Sequence, residues 1–280
     1  MVDRINNASG VLGALRQLQS ANRDLSGADT RVSSGLRVAR ARDDATAFNS
    51  AAVMRGQGAS LSVVTLSLSR AESISDTAIA AGEQVMKQLG AMKTTASQAM
   101  SGGLTDDQRA VLQQQYQDQM ATLQSFVRNA SFDNTNTLDG SQQPNGVSFI
   151  ADADATQTLS LAGRNFLPGG GVVTAMPSTT ALNNTQSAAD TQKLLDESIS
   201  NIGDQLAEMG AERKRIEAQK GFVGKLADAL AAGVGRMVDT DVSAESALVK
   251  ALQVKQELSA SAVSIANSAP QALLSLFRPV

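Results

Sequence analysis

The sequence predicts a mainly α fold: an elongated antiparallel helical bundle or coiled coil with a small β-rich insertion at its tip. Three observations carry this. Apolar residues recur at alternating spacings of three and four over unusually long stretches. Aromatic residues make up only 3% of the chain, which suits helices packed through small and aliphatic side chains better than a compact aromatic core. Three of the five prolines, Pro144, Pro168 and Pro177, fall in one central stretch with the run Gly169-Gly170-Gly171.

The first long seam reads Leu61, Val64, Leu68, Ala71, Ser75, Ala78, Gly82, Val85, Leu89, Met92, Ala96 and Ala99, with ten of its twelve positions apolar if glycine is excluded. Ser101-Gly102-Gly103 ends it. A second helix is expected to start at Thr105, whose hydroxyl can cap the helix while Gln108 reaches back. Its seam runs through Leu112, Tyr116, Met120, Leu123 and Val127. The longest pattern extends from Leu195 to Met237 and is broken only by Arg213 and Lys220. Such a helix would be about 65 Å long at 1.5 Å per residue. It cannot bury its stripe alone, so residues 61–130 and 187–237 are expected to share one bundle.

Between these patterns, Val147 with Phe149 and Thr158 to Leu161 read as short strands around the turn-prone Ala151-Asp152-Ala153-Asp154. They define the expected β-rich tip, residues 131–186.

Both ends carry amphipathic patterns. Val11, Leu18, Leu25 and Val32 lie seven apart, with Ala14, Ala21 and Ala28 three residues after the first three. Alanine on one side of a seam lets a partner helix approach closely. Near the other end, Val242, Val249 and Val263 follow one heptad phase, and Ala251, Leu258 and Ile265 follow another. Two phases give an apolar face wider than one partner covers. Leu273, Leu274, Leu276 and Phe277 add an apolar cluster. Chain ends are normally polar and loosely held. The stripes are therefore expected to be left uncovered within one molecule and buried between copies, in a heterologous contact that yields a filament.

Composition excludes several chemistries. The chain has no histidine, cysteine or tryptophan. A zinc site of the usual ligands, a Ser-His-Asp triad and a disulfide framework are thereby removed. A net charge of −3 does not announce nucleic acid, and no run of about 18 apolar residues suggests a membrane span. Asp152 and Asp154 lack the glycine and distal glutamate of a calcium loop, and the glycine run lacks the Lys-Ser/Thr of a phosphate loop. No catalysis, cofactor or metal is expected. The opening Met1 to Asn7 lacks the apolar core of a secretory signal, so export would need another route.

Arg31-Val32-Ser33-Ser34-Gly35-Leu36-Arg37, followed by Ala41-Arg42-Asp43-Asp44-Ala45, resembles the flagellin N-terminal signature R-L-S-S-G-L-R and A-K-D-D-A. Ile5-Asn6-Asn7 resembles I-N-T, and Phe132-Asp133-Asn134 through Gly140 resembles F-N-G…L-L-x-G. Arg236 to Asp241 resembles R-I-x-D-A-D, and Ala266-Asn267 with Pro270 to Leu276 resembles A-N-x-x-P-Q-x-V-L-x-L-L.

The resemblance implies a subunit of the bacterial flagellar filament, exported unfolded through the flagellar type III channel and located outside the cell. It implies that residues 1–44 plus 239–280 form an antiparallel helical pair lining an inner tube. Residues 45–130 plus 187–238 would form the outer bundle, with 131–186 exposed. The partners implied are further copies of the chain, hook-associated and cap proteins, and an export chaperone, with neither nucleic acid nor membrane. The residues expected at the polymerisation interface are Val11, Leu18, Leu25, Arg31, Val32, Leu36, Arg37, Asp43, Asp44, Val249, Leu258, Ile265, Leu273 and Leu276. Asp43 and Asp44, after Arg37, Arg40 and Arg42, are read as a salt-linked joint rather than a plain turn. The competing readings are a hook–filament junction protein and a flagellin-like surface protein whose tip binds a ligand. Deleting residues 141–185 is expected to separate binder from filament subunit.

Overall fold

The computed structural model describes residues 8–276 apart from 175, and the side chains of residues 10–268 with the same exception. Ile5-Asn6-Asn7, Leu273, Leu276 and Phe277 therefore lie outside the residues whose side chains are described. Among the described residues there are five helices: α1 (Ala8–Ser34), α2 (Ala45–Ala99), α3 (Asp106–Arg128), α4 (Thr185–Val238) and α5 (Val242–Leu276). Four short strands, β1 (Ser131–Phe132), β2 (Thr135–Asn136), β3 (Val147–Ile150) and β4 (Thr158–Leu161), pair as two antiparallel hairpins. The mainly helical class expected from the seams is what the chain adopts.

The chain divides into two compact units. One comprises the described residues up to Gly56 with those from Ala229 onward, and the other Gln57–Asp228. In the second unit, all twelve seam positions of α2 from Leu61 to Ala99 are buried, because a strict three-four repeat keeps one face of a helix turned to its partners. Tyr116, Met120, Leu123 and Val127 of α3 join them, as do Leu195, Ile202 and Met209 of α4. Thr105 caps α3 as the sequence predicts: its hydroxyl accepts from the Gln108 backbone N–H at 3.2 Å, and the Gln108 side chain accepts from the Thr105 N–H at 2.9 Å. Arg109 donates to the Ala99 carbonyl at 2.8 Å, satisfying the end of α2.

Arg213 and Lys220, the two breaks in the α4 seam, are ion-paired. Arg213 meets Asp76 and Glu72 of α2 and Glu217 on its own helix, and Lys220 Nζ lies 2.9 Å from Glu72. Hydrogen bonding to Asp76 is the main reason the guanidinium is held above its ordinary pKa.

The central segment has less β structure than the sequence reading assigns it, and more of it is core. Leu138, Phe166, Val173, Ala181 and Leu182 are buried in the same cluster as the helices. An extended stretch bonds back on itself through Arg164 N–H to Thr137 at 2.7 Å and Phe166 N–H to Leu138 at 2.8 Å. Arg164 is 5% exposed and forks onto Glu212 at 3.0 and 3.2 Å, with Gln205 at 2.8 Å. The β3–β4 hairpin is strapped to both long helices by consecutive residues: Ile150 N–H donates to Ser67 of α2 at 3.1 Å, and Gln219 of α4 donates to the Ala151 carbonyl at 2.8 Å.

Candidate assembly surface

In the first unit α1 and α5 lie antiparallel, as three cross-links in reverse order show: Arg31 with Glu245, Asp24 with Lys255 and Asn22 with Gln256. Ala21 and Ala28 on α1 are fully buried, and Leu252 and Ser259 on α5 nearly so. Small side chains here let the helix axes come close, so that backbone as well as side chains fills the seam.

The expectation that the end stripes have no cover within one molecule is corrected by this pairing. Val11, Leu18, Leu25 and Val32 share the α1 face of Ala21 and Ala28 and are half-buried, as is Val249 on α5. The reason is simple: two amphipathic helices held by one chain meet at high effective concentration and cover each other first.

Val242 and Leu248 near the start of α5 are exposed, and the most exposed apolar residues of the helix belong to its second phase. Leu258 is 67% exposed and Ile265 69%, and Val254, one turn before Leu258, is exposed with them. The outward stripe is therefore Ala251, Val254, Leu258 and Ile265, which belongs to the three-four pattern of a seam without a partner. Leu12 and Leu15 make a smaller outward patch on α1. Val254, Leu12 and Leu15 escaped the sequence reading. Spacing back from Leu258 would have found Val254, but spacing alone cannot tell which of two stripes faces inward.

The signature block forms a clasp. α1 ends at Ser34, and Gly35 takes a φ of +69°, with its N–H donating to the Arg31 carbonyl at 2.9 Å. Glycine adopts that left-handed conformation without steric cost. The chain then bonds to the α4–α5 connection: Leu36 bridges Asp239, Thr240 N–H donates to Gly35, and Arg37 uses its N–H and side chain on the carbonyls of Val238 and Met237. Leu36 is half-buried against Val38, Ala47, Ala51 and Val238.

Asp43 and Asp44 act locally. The Asp43 carboxylate accepts from the N–H groups of Ala39 and Arg40, and that of Asp44 caps α2 by accepting from Ala47 N–H at 2.9 Å. Their hydrogen bonds build the turn, the plainer of the two sequence readings. Arg42 lies 3.8 Å from Asp43 and is largely exposed.

Among the described residues no group of three or more His, Cys, Asp or Glu side chains is placed to hold a metal ion, and no helix is long and apolar enough to cross a membrane. The outward apolar stripe of α5 is a surface suited to packing.

Comparison with known proteins bears on what that packing is for. Residues 5–143 match the bacterial flagellin N-terminal helical region, and residues 192–277 the bacterial flagellin C-terminal helical region. Flagellin FljJ of Caulobacter vibrioides is 35% identical over 277 residues, spanning 98% of each chain. A flagellin of Brucella melitensis is 30% identical over 282 residues, 96% of this chain and 97% of that one. A putative flagellar hook-associated protein from Vibrio parahaemolyticus shares the fold, with a TM-score of 0.57 at 13% identity over 70% of this chain and 100% of that chain. The α1–α5 pair, the clasp and the outward stripe of α5 all fall within the two matched regions, and the chain belongs to the bacterial flagellin family.

Proposed function

We propose that this flagellin is the structural subunit of a flagellar filament, and that it polymerises by burying the outward stripe of α5 against the helices of neighbouring copies. The observation that supports this reading is the exposure of Leu258 and Ile265 on a helix whose other face is already covered. Isolated apolar residues at a surface are ordinary, but a periodic stripe of them along one helix marks an interaction face. Residues 1–44 plus 239–280 then act as the polymerisation domain lining the inner tube. Residues 45–130 plus 187–238 act as the outer bundle, with 131–186 packed along its side.

The roles of the candidate residues divide. Leu258 and Ile265 make the contacts between subunits, with Leu273 and Leu276 as further candidates from the sequence. Val11, Leu18, Leu25, Val32 and Val249 hold the pair that presents it. Arg31, Leu36, Arg37, Asp43 and Asp44 fix the clasp. The subunit works outside the cell after export unfolded through the flagellar type III route. An export chaperone covers the apolar stripe beforehand, and hook-associated and cap proteins contact the filament ends. Its work is structural, not enzymatic.

The test is seeded polymerisation of the full chain, followed by sedimentation and electron microscopy. Leu258→Asp with Ile265→Asp is expected to abolish filaments while leaving helical circular dichroism unchanged. Normal filaments from that variant would remove the stripe from the mechanism. A surface-binding role for the tip is separated by shortening the hairpin turn at residues 152–156. Deleting 141–185 would also remove Phe166, Val173 and Leu182 from the core.

A further inference from the structure

Two features of the second unit are left unexplained by its core. The first is a groove of about 740 Å³ along the α2 flank of the β3–β4 hairpin, between α2 and strand β3. Val63 and Leu66 line it with Phe132, and these three are 58%, 72% and 41% exposed. The second lies on the other flank, where α4 sets Arg215, Ala218 and Gln219 beside Thr158 and Leu159 of β4. One turn further along that face of α4 stand Phe222 and Leu226, 59% and 39% exposed. Phe132 and Phe222 are the exposed aromatic side chains among the described residues.

We propose that Phe222 and Leu226 of one subunit insert into the groove formed by Val63, Leu66 and Phe132 of a second copy. The occupant is argued from three properties. Knob and groove lie on opposite flanks of one hairpin, so they cannot mate within a molecule. A contact between unlike surfaces repeats head to tail and, where the rotation does not close a ring, builds the open assembly a filament requires. The groove falls within the range of about 300–1,000 Å³ that holds compact apolar groups, and an aromatic beside an aliphatic anchor is the usual filling of such a contact.

The charges also agree. The α4 face around Phe222 carries Arg215 and Lys225, while by helical spacing Glu212, Glu217 and Asp228 fall on other sides of the helix. At the mouth of the groove stands the half-exposed carboxylate of Asp133, 2.7 Å from Arg70. A carboxylate has about four acceptor positions, so Asp133 takes a lysine from the incoming helix without giving up Arg70.

This inference rests on the filament-subunit reading, and its test keeps the two apart. The chain has no cysteine, so introduced thiols report without background. Full-length Leu66→Cys and Phe222→Cys chains are mixed, grown on filament seeds and oxidised. A disulfide-linked dimer is expected from the mixture and from neither variant alone. Filaments whose mixture gives no dimer would overturn the proposal, and so would dimers from Phe222→Cys alone, which mean a symmetric contact. If losing an apolar residue blocks growth, Ser69→Cys with Lys225→Cys makes the same test from the rim. Phe222→Ala with Leu226→Ala is expected to raise the monomer concentration needed for growth about tenfold, with an unchanged monomer melting curve. Unaltered growth would count against the contact. Failure of the unsubstituted chain to form filaments would instead sink the subunit reading, and this one with it.

Discussion

Arg31 of α1 donates to Glu245 of α5 at 2.7 Å, joining positions 214 residues apart in sequence. The Glu245 side chain is largely covered and that of Arg31 one-third exposed. The pair fixes how far α1 slides along α5. Glu245→Gln is expected to cost the first unit about 1 kcal/mol, and less in high salt. Hydrogen exchange of α1 and α5 amides measures this; unchanged protection would mean the ion pair holds nothing.

The two faces of the terminal pair are expected to respond in opposite ways. Ala28 is fully buried, so Ala28→Leu overpacks the seam and costs about 1–3 kcal/mol. Leu258→Asp lies on the outward stripe and leaves the isolated subunit's melting unchanged. Thermal unfolding of unassembled protein compares them. A destabilised Leu258→Asp monomer would mean that this face is already engaged.

Arg164 anchors the central segment to α4. Arg164→Met leaves Glu212 without its bidentate partner inside a mostly covered site and is expected to cost about 3 kcal/mol. Adding Glu212→Leu should recover much of the loss, since the unpaired charge goes with it. Denaturant midpoints of the single and double variants check the pair. Equal destabilisation by both would show that packing, not charge, sets the cost.

Tyr116 is the sole tyrosine. It is fully buried, and its hydroxyl donates to the Met176 sulfur at 3.3 Å. Burial pushes its phenol well above the ordinary value of about 10. The unfolded chain releases this proton near the ordinary value while the folded chain keeps it. The stability linked to it is therefore complete below about pH 10 and lost as pH rises further. Tyrosinate absorbance should accordingly appear together with loss of helical signal. Ionisation near the ordinary value in a fully helical protein would show the phenol to be open to water.

The long helices were legible because a three-four repeat sustained from Leu61 to Ala99 admits no other packing, and the Thr105–Gln108 cap because two side chains three apart suffice to build it. The hairpin strands Val147–Ile150 and Thr158–Leu161 were legible from alternation. The β1–β2 turn was not: Asp133 and Asn134 both adopt positive φ, which residue type permits without requiring. Nor was the core role of Phe166 and Leu182, since irregular chain has no period to betray which side faces in. At the terminal pair the apolar residues were visible, but their division between inward Leu252 and outward Leu258 depends on which face of α5 turns to α1, a long-range fact. Charge next to arginine suggests a joint at Asp43 and Asp44, whereas nearby backbone N–H groups capture both carboxylates.

The two straps on the hairpin, Ser67 to Ile150 and Gln219 to Ala151, leave the turn beyond them free of the helices. Foreign sequence spliced between Asp154 and Ala155 would hang from a fixed base at an exposed, polar bend. Guest peptides could then be displayed in a regular array along the polymer, repeated once per copy, without the host's supports having to yield.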